Sequence, residues 1–146
     1  MAKTRIEIDV DDSDAQRKLS AMGARSQNMR PVFEQAKFML RRANAANFAS
    51  NGLPVGGWAP RRNEELWPLM KRTGALAGSL STLSGPPNDI GRRDATFGTS
   101  VEYAKFHQYG TSRMPKRQVV FEPLGFRQEL SERAVSYIIN MRKRVF

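Results

Sequence analysis

Between residues 49 and 72 the chain carries three glycines, three prolines and both of its tryptophans. Gly and Pro at this density break regular structure, so the segment SNGLPVGGWAPRRNEELWPLMKR predicts a long, mostly irregular arm. Loops of that length are uncommon in compact domains and usually carry function. The arm's two tryptophans either stand out as anchors for a partner or pack back on their own domain. With 146 residues, 40% of them hydrophobic, one modest core and one domain over 1–146 are expected.

Upstream, TRIEIDV at 4–10 alternates Ile6, Ile8 and Val10 with Arg5, Glu7 and Asp9, the period of a half-buried strand. Asp12 or Ser13 then suits a helix N-cap, with Ala15, Leu19 and Met22 as an apolar stripe that Gly23 interrupts. Pro31 fits the first turn of a second helix over about 31–48, whose stripe is Val32, Ala36, Met39 or Leu40, Ala43 and Phe48.

Downstream, Thr73 suits the cap of a short turn through Leu76, 78–84 reads as extended, and PPND at 86–89 as a turn. Residues 90–99 read as a strand. VEYAKFHQYG reads as a short helix with Val101, Ala104 and His107 or Gln108 on one side, stopped at Gly110. A strand is expected over 117–122. The closing helix would carry Leu130, Ala134, Tyr137 or Ile138, and Met141, with Arg142, Lys143 and Arg144 near its negative end. The sum is an α+β fold: a small antiparallel β-sheet packed against a long helix of the N-terminal half and a C-terminal helix.

Composition excludes several chemistries. There is no cysteine, hence no disulfide, thiolate metal site or cysteine nucleophile. The start, MAKTRIEIDVDD, turns acidic before any apolar run forms, unlike a secretory leader. The run AVSYII at 134–139 is far shorter than the roughly 20 residues a membrane span needs. His107 is the single histidine, which leaves one candidate for any imidazole relay and no G-x-S-x-G elbow to serve it. Asp9, Asp11, Asp12 and Asp14 fail as a calcium loop, because the sixth position is Asp14 rather than Gly and the twelfth is Ser20 rather than Glu. Phosphate-loop patterns are absent. No catalytic residue, metal or cofactor is expected.

The net charge is +10, which suits a polyanion or an acidic protein surface. The cations fall in doublets, among them Arg61-Arg62, Arg92-Arg93 and Lys116-Arg117. No base-reading motif accompanies them, so the pattern fits phosphate contact without sequence readout, or equally a solvated face or partner salt bridges.

GGWAP (56–60), WPLMKRTGALAGSL (67–80), FGTSVEYAKFHQYGT (97–111), MPKRQVVF (114–121) and the terminal helix together carry a resemblance. Over about 31–140 the chain resembles the tailed-bacteriophage virion morphogenesis, or tail completion, family of small neck proteins. The family's G-T-x-V-x-Y-A-x-x-H-Q-x-G-T segment is its most specific match. Two departures concern loop geometry: Pro115-Lys116-Arg117 replaces Pro-Ala-Arg, and an insert splits Trp58 from Trp67-Pro68-Leu69.

The resemblance implies a structural virion part rather than an enzyme. It implies a ring subunit, usually six-fold, at the head–tail junction, which terminates the tail tube or joins it to the connector while DNA passes through. The expected partners are copies of itself, connector-side neck proteins, the tail tube protein and packaged DNA, with no membrane. Trp58, Trp67, Leu69, Met70, Met114 and Pro115 are the candidate interface anchors. Thr73, Gly74, Leu76, Gly98, Thr99, Tyr103, Ala104, His107, Gln108 and Gly110 are expected to be architectural, with the His107 ring hydrogen-bonded at a core edge. Arg61, Arg62, Arg92, Arg93, Lys116 and Arg117 are candidates for facing the DNA channel or an acidic partner. The alternative function is non-specific nucleic-acid binding.

Overall fold

The computed structural model describes residues 12–139. The strand expected at 4–10, and Met141 to Arg144, lie outside the described residues.

Helix α1, Ser13–Ser26, starts after Asp12, whose carboxylate accepts from Gln16 Nε2 at 2.8 Å. Gly23 stays inside the helix. Of the expected stripe only Met22 is half-buried; Ala15 and Leu19 are exposed. Helix α2, Arg30–Ala49, has Pro31 in its first turn, where the missing N–H costs no hydrogen bond. It buries Val32, Ala36 and Phe48 as expected, but also Asn44 and Asn47. These two amides point at the backbone of other segments: Asn44 Nδ2 donates to Leu80 O at 2.8 Å and Asn47 Nδ2 to Gln118 O at 3.2 Å. Buried polar groups are placed where they have partners, so the pair fixes what lies over α2.

A 3₁₀ turn at Leu53–Val55 is the one regular piece of the predicted arm. Helix α3, Ala75–Thr82, replaces the extended segment expected at 78–84. Leu76 and Leu80 face α2 four residues apart, a helical spacing that a reading of short alternating runs overlooks. Strand β1, Asp89–Ile90, pairs antiparallel with β2, Ala95–Thr96, in the register Asp89 with Thr96 and Ile90 with Ala95. The single strand expected at 90–99 is thus a tight hairpin. Helix α4 is Ala104–Tyr109 and α5 is Phe126–Ile139. The fold is α+β and mostly helical.

Helix α2 is the hub: it packs on α3, α5, the 3₁₀ turn and β1, while α1 packs on α5. The core joins Phe48, Trp58, Leu76, Leu80, Leu83, Ala104 and Val119. Phe48 and Trp58 meet edge to face at 5.2 Å. Helix α5 lays Leu130, Ala134, Tyr137 and Ile138 half-buried on the helical layer. Tyr137 Oη donates to Asn28 O at 2.9 Å across that seam.

Candidate functional site

The segment 97–117 is built by short side chains that stand in for a sheet. Asn88 clamps Gly98 on both sides: Gly98 N donates to Asn88 Oδ1 at 2.9 Å, and Asn88 Nδ2 donates to Gly98 O at 3.1 Å. The Thr99 and Ser79 hydroxyls lie 2.7 Å apart and tie the segment to α3. Thr73 Oγ1 accepts from Ala75 N at the start of α3, with Gly74 as its cap at φ 73°. Ala104, the first residue of α4, is buried.

Gln108 explains why no strand forms at 117–122. Its Oε1 accepts from Val119 N at 3.0 Å and Val120 N at 2.9 Å, and its Nε2 donates to Val120 O at 2.8 Å. One side-chain amide thus satisfies the backbone that a neighbouring strand would otherwise pair. Gln118 O is taken by Asn47 and by Trp58 Nε1, the latter at 2.9 Å. Gly110 ends α4 with φ 74°; a Cβ there would stand 2.9 Å from Lys116 N, so the chain can double back only over glycine.

Arg117 is the keystone of that return. Its N donates to His107 O at 2.7 Å, its Nε to Ala59 O at 2.8 Å and its Nη2 to Pro60 O at 3.1 Å. It is 7% exposed, held by backbone carbonyls while lining both of the clefts described below. Burial, then the neighbouring Arg61, lowers its pKa. The His107 ring meets Tyr103 edge to face at 6.0 Å, but its Nδ1 is buried without a partner. The hydrogen bond expected of the ring is not made at Nδ1, whereas the His107 carbonyl accepts from Arg117 N. Burial, then the Arg117 charge, lowers the His107 pKa.

The arm 61–73 closes over this segment and leaves a cleft of about 640 Å³, lined by Arg61, Trp67, Met70, Tyr103, His107 and Arg117 among others. Trp67 is half-buried in its wall: Arg61 Nη2 donates to Trp67 O at 2.8 Å, and the Arg72 guanidinium lies 5.3 Å from the indole centroid. A second cleft, about 510 Å³, shares Arg61, Arg62 and Arg117 and adds Arg113, Met114 and Pro115.

Of the expected anchors, Trp58 is a core residue, since its indole stacks on Phe48 and covers Gly52. Leu69 and Met70 pack on the core as well as facing the cleft, and Met114 and Pro115 line the second cleft. The structure gathers Arg61, Arg62 and Arg117 at one wall. Arg92 and Arg93 sit apart at the hairpin turn, where Arg92 O accepts from Met29 N at 2.7 Å. Lys116 is exposed beside the Gly110 turn. The largest exposed side chains were missed: Leu53, Leu66, Tyr109 and Leu124. Each stands within two residues of a Pro or Gly, as in Leu53-Pro54 and Pro123-Leu124-Gly125.

The sequence model of the phage virion morphogenesis family matches residues 10–143. The chain belongs to that family. Searches of curated proteins and of solved structures find no match to it. Phage virion morphogenesis proteins are virion or assembly components, and among the described residues no helix is long and apolar enough to cross a membrane.

Proposed function

We propose that this phage virion morphogenesis protein is a ring-forming tail completion subunit of the neck. It would join the tail tube to the head connector, with DNA passing through the ring, and act structurally rather than catalytically. The observation that carries this reading is the set of large apolar side chains left in water on loops and turns. Leu53, Leu66, Tyr109 and Leu124 are each at least 72% exposed, while a full core is built elsewhere. Such side chains gain burial only against another molecule. A family role in virion assembly supplies that molecule: copies of the chain, the tail tube protein and connector-side neck proteins.

Electron microscopy of a lysate from a phage lacking this gene tests the reading. Filled heads beside separate tails are expected. Aberrantly long tails would assign the terminator role instead. Normal infectious particles would overturn it. The basic clefts support a second reading, non-specific nucleic-acid binding, which requires tight binding by the free chain whose log affinity falls steeply with log salt.

A further inference from the structure

The wall shared by the two clefts holds charge without a counter-ion among the described residues. Arg117 is nearly fully buried, and the acceptors of its Nε and Nη2 are neutral carbonyls. Arg61 stands against it, with one nitrogen on Trp67 O and the other, Nη1, buried and unpartnered. The ion pairs among the described residues join Arg17 with Asp14, Arg127 with Glu122, and Arg133 with Glu129. None reaches this wall. Glu65, the carboxylate on the lining, is exposed and pairs with neither guanidinium. Two neighbouring guanidiniums, one buried and the other half-buried, repel each other and are poorly hydrated. A carboxylate relieves both costs and fits the guanidinium fork. Trp67, Leu69 and Met70 on the same lining favour an occupant that also carries aliphatic groups, which a phosphodiester backbone does not.

The sequence contains such an occupant. Glu7, Asp9 and Asp11 alternate with Ile6, Ile8 and Val10, and no cation occurs from residue 6 to residue 16. Asp12 and Asp14, which follow, are engaged with Gln16 and Arg17. A ring closes through heterologous contacts, so both complementary patches must lie on one chain. At a net charge of +10, copies repel unless an acidic patch meets a basic one. We propose that the Arg61–Arg117 cleft receives the Glu7–Asp11 carboxylates of a second copy of this chain.

The inference rests on the ring reading but is tested separately, by light scattering of the full chain across concentration and salt. One variant carries Glu7→Gln, Asp9→Asn and Asp11→Asn; the other carries Arg61→Glu. Wild type is expected to self-associate more tightly at low salt, and each variant alone to lose about tenfold or more in affinity. A mixture of the two should recover a one-to-one pair and nothing larger, because each retains one competent patch. Arg72→Glu, at the exposed rim, replaces Arg61→Glu if that variant melts below the wild type. Association unchanged by the variants would overturn the contact and leave the ring reading standing. A monomeric wild type, or a mixture that does not pair, would also overturn it. Duplex DNA binding that Arg61→Glu abolishes, without recovery in the mixture, would reassign the cleft to nucleic acid.

Discussion

Gln108 and His107 are sequence neighbours with opposite electrostatic situations. Gln108 uses both its amide oxygen and its amide nitrogen to hold Val119 and Val120. Gln108→Ala leaves the buried Val119 N–H without a partner, at a cost of about 1–3 kcal/mol. We expect the urea midpoint to fall by that free energy divided by the denaturant slope, with the slope itself unchanged. His107 has a pKa held below its ordinary value, by burial first and by Arg117 second. The unfolded chain therefore takes up the proton before the folded one does. Stability is full above the unfolded pKa of about 6.5 and declines as pH falls toward the folded value. The melting temperature should drop on acidification through that window, and His107→Gln should flatten the slope whatever it does to the absolute value.

Among the elements, α1 and α2 differ in kind although both read as amphipathic helices. α2 buries five side chains and is the hub of the fold; α1 buries none and rests on α5. Helices gain most of their stability from tertiary packing, and local opening follows the packing. Amide hydrogens of α1 should exchange well before those of α2 in native-state exchange, and equal protection would refute this ordering. The same contrast shows what the sequence made legible. Pro31 and the Val32–Ala36–Phe48 spacing mark α2, and Gly110 marks the end of α4, because both signals are local. α3 was legible in the Leu76–Leu80 spacing but was overlooked, whereas the irregular 117–122 segment escapes because Asn47, Trp58 and Gln108 decide it from distant positions. The candidate site was half legible. Arg61 and Arg62 were marked by their doublet, but the burial of Arg117 and Trp58 depends on a chain reversal that spacing does not encode.

For the whole molecule, the question is which apolar surface serves the monomer and which serves assembly. Leu76 and Leu66 are chemically the same, yet one is 2% exposed and the other 102%. Removing Leu76 empties a packed site. Removing Leu66 takes nothing from the fold, because it touches water on every side. Leu66→Glu should therefore leave monomer stability within about 0.5 kcal/mol of the wild type. If the arm carries an anchor, the same change puts a charge where a neighbour would cover it. Central interface side chains cost about 2 kcal/mol or more on truncation, so association should weaken about thirtyfold. Chemical denaturation and light scattering on one preparation separate the two effects. Loss of both would place Leu66 in the monomer's own packing. Loss of neither would move the interface away from the arm, toward Tyr109 or Leu124. Loss of association alone, with a plasmid-borne copy failing to restore infectious particles, ties the exposed leucine to virion assembly.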